Sequence, residues 1–253
     1  MKKRIVIITD CSDVAYNELR GIVFRLIEES NYTEELIVEP VVSVKEFSLI
    51  NGSFILRLMA EAYPPGTFFL VILNPLKKRP ERIFGKTRDN DFVFMGANTG
   101  VFDWFLKDFG LKELYELHDP GFLPFGGKYV HVPSIVRLAM GKPFSEMGKP
   151  FNHKHLARLE LNDGVVVPID NMGLIKFIGG LPLAQEGDKF KVNAGGTELV
   201  ATYAKRMMSY ETGDWMIYPG SSLGLPELGK VRHNGARELE LNVGDKITFE
   251  RIL

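Results

Sequence analysis

Cysteine is nearly missing from this sequence: Cys11 is the only one in 253 residues. That excludes an internal disulfide and a cysteine-built metal cluster, and it suits a reducing compartment. A lone cysteine beside a strand end reads as a small buried residue rather than a nucleophile. Charge of one sign is missing too. Lys and Arg number 31 against 32 Asp and Glu, a net charge of −1, so no global field holds nucleic acid or an anionic membrane, and neither is expected as a partner. Long hydrophobic runs are also lacking near the amino terminus. After Met-Lys-Lys-Arg come only Ile5 to Ile8 before Thr9 and Asp10, too few for a signal-peptide core or a membrane span, and a cytoplasmic protein is expected. Neither a glycine-rich phosphate loop nor a nucleophile elbow occurs, which argues against P-loop nucleotide enzymes and α/β hydrolases. Of the five histidines, His153 and His155 are the only close pair. No third ligand stands beside them, so no metal is expected. His131, between Val130 and Val132, reads as a partly buried structural residue.

What is present has the profile of a folded globular chain, with 45% hydrophobic and 25% charged residues. Ile5 to Ile8 is a β-branched run, followed by Thr9-Asp10-Cys11-Ser12-Asp13 and then by Leu19, Ile22, Val23, Leu26 and Ile27 at helical spacing. This is the strand, polar loop and helix of a βα unit, with Ser12 or Asp13 placed to cap the helix. Leu36 to Val42, Thr67 to Leu73 and Phe92 to Met95 read as further strands. Ser53 to Ala62, Val101 to Phe109 and Val132 to Met140 read as helices. The nearly wholly apolar strands imply a mostly parallel sheet flanked by helices.

Gly141 to Pro150, with two glycines and two prolines in ten residues, reads as a linker. Beyond it, short strand-like runs from Leu156 to Ile252 predict a smaller all-β domain, barrel or sandwich. The expected domains are therefore 1–150 (α/β) and 151–253 (β).

Loops at Asp10, Asn74 and Asn98 all follow predicted parallel strands, and in such sheets ligands bind outside the carboxyl ends of strands. Asp10 and Asp13 are paired carboxylates suited to ribose hydroxyls. Lys77, Lys78, Arg79 and Arg82 gather four cations around Pro75 and Pro80, which suits an anionic ligand such as a phosphate or, equally, a solvated charge run. Asn74 can hydrogen-bond but cannot take a proton near neutral pH.

Together these loops resemble the S-adenosylmethionine hydrolases (adenosine-forming), or hydroxide adenosyltransferases, which share a fold with fluorinating and chlorinating enzymes. Thr9-Asp10, then Asp13 and Gly21, is similar to the family's opening motif. Pro65-Gly66-Thr67 leading to Asn74-Pro75 resembles its Pro-x-Gly-Thr strand that ends in Asp-Pro. Asn98-Thr99-Gly100 stands where the family has Asp-Asn-Gly, and Phe125 to Pro133 where it has Phe-His-Gly-Arg-Asp-x-Phe-x-Pro. Asp170 to Leu174 resembles Asp-x-Phe-Gly-Asn. Gly220-Ser221-Ser222, Glu227 and Leu239 to Asp245 resemble the closing motifs.

The resemblance implies a small-molecule site between the two domains, with S-adenosylmethionine as substrate or ligand, no separate cofactor, and a homotrimer. It implies Asp10 on the ribose, and Asp170 and Ser222 on the methionine part and the adenine, with Asp13 and Asn98 as further binding candidates. The departures fall on the chemistry. The family's water-activating Asp, Arg and His correspond here to Asn74, Glu81 and Gly126, leaving Asn74, Arg79 and Arg82 as the catalytic candidates. Two outcomes stay open: a divergent enzyme that binds S-adenosylmethionine or an adenosine derivative and displaces methionine at ribose C5′, or a non-catalytic binding or regulatory protein on the same fold.

Overall fold

The computed structural model describes residues 2–73 and 76–252. The chain divides into two compact units, Met1–Leu159 and Glu160–Leu253.

In the first unit an eight-stranded sheet runs β2-β1-β4-β6-β5-β7-β8, with β3 also paired to β1. The strands are β1 (Lys3–Thr9), β2 (Leu36–Val38), β3 (Val42–Ser43), β4 (Phe68–Ile72), β5 (Arg82–Thr87), β6 (Val93–Ala97), β7 (Leu111–Leu117) and β8 (Gly148–Pro150). Successive side chains of a strand point to opposite faces, and both faces of this sheet are covered. On one face Ile5, Ile7, Leu70 and Ile72 pack with Leu19 and Val23 of α1 (Val14–Glu29) and with Ile135 and Val136 of a later helix. On the other, Val6, Ile8, Phe69 and Val71 pack with Leu56 and Ala60 of α2 (Leu49–Ala62) and Phe105 of α3 (Asp103–Phe109). Double coverage is why these strands read as unbroken apolar runs.

The sheet is parallel over its first half and turns antiparallel beyond β6. β1 pairs in parallel with β2, β3 and β4, and β4 with β6, but β6–β5, β5–β7 and β7–β8 are antiparallel. The reason is the short connection from Thr87 to Val93, where Asn90 and Asp91 take positive φ of 62° and 50°. A parallel pair needs a crossover of a dozen or more residues, whereas a tight turn returns the chain antiparallel.

The stretch 141–150, expected as a linker, follows α4 (Val132–Ala139) and forms α5 (Phe144–Met147) and β8, which adds an edge to the sheet. Beyond it, Phe151 N–H bonds to Leu114 O at 3.0 Å and Arg158 Nη1 to Asp103 Oδ1 at 2.6 Å, holding residues 151–159 on the first unit.

The second unit is a seven-stranded sheet, β15-β11-β12-β13-β14-β10-β9, antiparallel except for β12–β13. Its elements are β9 (Val166–Ile169), β10 (Ile175–Phe177), β11 (Lys189–Ala194), β12 (Thr197–Tyr203), β13 (Trp215–Pro219), β14 (Pro226–Lys230), α6 (Gly235–Glu238) and β15 (Ile247–Arg251). Phe177, Phe190, Val192, Ile217 and Leu228 fill its core. The sheet curls so that its two edges meet. Val165 bridges Lys246, Ile247 N–H bonds to Gly164 O and Val166 N–H to Asp245 O, both at 2.8 Å. Gly164 has φ +85°, and a Cβ there would run into the Ile247 carbonyl, so the seam demands glycine. The run from Leu156 to Leu161, expected as a strand, forms none, and β14 is a strand that the sequence pattern did not announce.

Candidate functional site

β1 and β4 end side by side, with Thr9 in register with Ile72. Thr9 Oγ1 donates to Ile72 O at 2.9 Å and accepts from Cys11 N–H at 3.1 Å, turning the chain sharply at Asp10. The strand ends open on a cleft of about 400 Å³ lined by Asp10, Ile72, Arg79, Arg82, Gly126 and His131 among others. Asp10 is fixed at its mouth: Oδ2 accepts from Phe47 N–H at 3.1 Å. Phe47 takes φ 56°, and its ring is 73% exposed beside the cleft. Cys11 also lines the cleft, but burial raises its thiol pKa above the ordinary value, which keeps the thiol protonated at neutral pH. Asp13 serves α1 instead. Its Oδ1 accepts from Ala15 N–H at 3.0 Å as the helix cap, and it is not among the cleft residues.

The cation loop reaches the cleft in part. Arg82, the first residue of β5, is only 7% exposed and donates from Nη1 to Asp119 Oδ1 at 2.6 Å. Arg79 Nη2 reaches the same oxygen at 3.4 Å, and both Arg79 terminal nitrogens donate to Gly121 O, at 3.2 and 3.1 Å. Lys77 joins them in the lining and Lys78 does not. Asn74 lies outside the described residues. Glu81 faces Asn98, whose Nδ2 donates to Glu81 Oε2 at 3.2 Å and to His155 O at 3.0 Å, while Oδ1 accepts from Ala157 N–H at 2.8 Å. Asn98 thus clamps the segment 155–157, and its amide is engaged by the chain itself.

The sequence pattern makes His131 structural, but its surroundings differ from those of an ordinary core histidine. It ends a π-helical turn, Gly127–His131, closed by Val132 N–H to Gly127 O and continued by α4. Its ring is buried in the cleft wall, and neither nitrogen has a hydrogen-bond partner among the described residues. Burial, reinforced by the charge of Arg79, lowers its pKa to about 4, so the imidazole is neutral at physiological pH. Five residues earlier, at Gly126, a Cβ would lie 3.4 Å from Arg82 Nη2. The Arg82 guanidinium is therefore in ordinary contact distance of that position. One signal pointed to His131: it is a histidine where the resembled motif has phenylalanine.

In the second unit, Asp170 follows β9 and its Oδ1 accepts from Met172 N–H and Leu174 N–H, both at 2.9 Å, shaping the turn into β10. Ser222 lies in the β13–β14 connection, where its carbonyl accepts from Leu225 N–H at 3.2 Å. Near Asp170 is a buried polar group: Lys176 pairs with Glu227, and burial beside that carboxylate raises the Tyr218 hydroxyl far above its ordinary pKa.

Residues 5–148 match the family described as SAM hydroxide adenosyltransferase N-terminal domain. The chain belongs to that family. The matched stretch contains every cleft residue named above. Among solved structures, an uncharacterized conserved protein from Thermotoga maritima is 23% identical, with 97% of this chain and 100% of that one covered at a TM-score of 0.83. A conserved hypothetical protein from Thermus thermophilus is 19% identical, with 99% and 100% covered at a TM-score of 0.76. These similarities establish the two-unit fold. No curated protein matches the chain.

Proposed function

We propose that the chain binds S-adenosylmethionine, or a related adenosine derivative, in the first-unit cleft and displaces the group carried on ribose C5′. Asp10 carries the proposal. It is a carboxylate held by Phe47 N–H at the end of β1 in a chain of the SAM hydroxide adenosyltransferase family, and in this reading it accepts from the ribose hydroxyls. In the reaction a nucleophile forms a bond to C5′ while the C5′–S bond breaks and its electron pair passes to sulfur, releasing methionine. With water the other product is adenosine. A sulfonium is already a good leaving group, so orienting the two reactants contributes much of the acceleration. Arg79, Arg82 and Lys77 give the cleft positive charge suited to a carboxylate of the ligand. Asp170 and Ser222 enter on the resemblance alone.

Incubation with S-adenosylmethionine should yield adenosine and methionine in equal amounts by liquid chromatography. Absence of both product and binding would overturn the proposal. The replacement of the water-activating set by Asn74, Glu81 and Gly126 favours a second reading, a binding protein without turnover. Calorimetric binding of S-adenosylmethionine with no adenosine formed would select it.

A further inference from the structure

We propose that His131 is the proton acceptor of this cleft, in place of the carboxylate and imidazole that the chain lacks at Asn74 and Gly126. This rests on the function proposed above and adds a reacting group to it.

Three observations lead there. First, both ring nitrogens are buried without a hydrogen-bond partner among the described residues. A phenylalanine or leucine would fill the same wall without leaving polar atoms unsatisfied, so the fold gains nothing from an imidazole here. Second, His131 is one of the residues that line the cleft holding Asp10, Arg79 and Arg82. Third, the π-helical turn gives the placement a geometric reason. Its hydrogen bonds join residues five apart, which sets position 131 along the turn from position 126. At 126 the glycine leaves room that Arg82 approaches, its Nη2 3.4 Å from the Cβ position. A guanidinium thus lies in contact distance of position 126, and an imidazole is supplied five residues later, at the end of the turn.

The chemistry is consistent with this role. Burial holds the His131 pKa at about 4, close to that of an ordinary carboxylate. The ring is therefore uncharged and ready to accept at neutral pH, with the basicity of the carboxylate it replaces. As water attacks, the O–C5′ bond forms, the C5′–S bond breaks with its electron pair going to sulfur, and the water proton passes to an imidazole nitrogen. The ring later returns that proton to solvent. The sulfonium loses its positive charge as the imidazolium gains one, so the net charge of the cleft is constant through the step.

The test compares wild type with His131→Phe, which removes both nitrogens and keeps an aromatic ring, using S-adenosylmethionine with water or with added azide as nucleophile. Azide carries no proton to remove and gives 5′-azido-5′-deoxyadenosine. His131→Phe should slow adenosine formation by roughly 10²–10⁴-fold, while the azide reaction and adenosine affinity stay within about threefold of wild type, a change of under 1 kcal/mol. His131→Gln, which hydrogen-bonds but is no base, should behave alike and serves if the phenylalanine variant does not fold. Equal loss of the water and azide reactions, or full activity in both, would overturn the assignment and leave the proposed function standing. No adenosine from the wild type would overturn the assignment, and with it the proposed function if S-adenosylmethionine also fails to bind.

Discussion

A buried, neutral imidazole makes the folded protein sensitive to acid. In the unfolded chain His131 takes its proton near pH 6.5, but in the folded chain only near pH 4. As pH falls below about 6.5 the unfolded state binds the proton first, so stability declines until pH 4 and this residue adds no further loss below it. That difference corresponds to a loss on the order of 3 kcal/mol once both states carry the proton. His131→Phe should flatten that limb and be the more stable protein at pH 5, which urea unfolding at a series of pH values will show. Asp10 makes the opposite kind of prediction. Asp10→Asn keeps a polar group opposite Phe47 N–H but removes the charge, so adenosine affinity should fall by about tenfold or more, near 1.4 kcal/mol, with little change in stability. Calorimetric titration reads the first, and a thermal melt the second.

Among the elements, two side chains that the sequence offers as ligand contacts are used locally. Asp13 caps α1, so Asp13→Ala should cost about 1 kcal/mol in unfolding free energy and leave adenosine affinity unchanged. A matching loss of affinity would give Asp13 a place in the site. Asn98 ties the end of β6 to residues 155 and 157. Asn98→Ala leaves backbone groups without their partner, and about 1–3 kcal/mol of destabilisation is expected by the same measurement.

The legibility of these elements in the sequence follows from burial. β1 and β4 are covered on both faces and are readable as apolar runs. β5 and β7 mix charge with apolar residues, because Arg82 starts β5 with Asp119 as partner and β7 alternates Lys112, Glu113 and Glu116 with its apolar residues. That mixture hid the antiparallel half of the sheet. Asp10 was legible as a polar residue ending an apolar strand. His131 was legible only as a histidine where the resembled motif has phenylalanine, because the burial of its ring is a property of three-dimensional surroundings that no spacing encodes.

For the whole molecule, the two units have separate hydrophobic cores. Among the described residues no helix is long and apolar enough to cross a membrane. The cleft rim exposes apolar surface: Phe47 is 73% and Phe122 81% exposed, and both line the cleft. The homotrimer implied by the resemblance is a statement at this scale. Sedimentation equilibrium should then give about three times the chain mass of 28.5 kDa, and a mass equal to one chain would reject it.

The π-helical turn at Gly127–His131 also bears on how such a site can change over time. It holds one residue per turn beyond an α-helix, in which each residue advances about 100°. Deleting one residue from it would close the turn as α-helix and swing everything before it by about that angle. α4, with Val132, Ile135, Val136 and Ala139 in the core, would stay in place. The turn therefore separates two kinds of selection along one continuous helix. Downstream, packing fixes the rotation. Upstream, a single-codon insertion or loss would bring a different side chain toward the cleft at the cost of the packing that Val130 and Phe125 make on the same core.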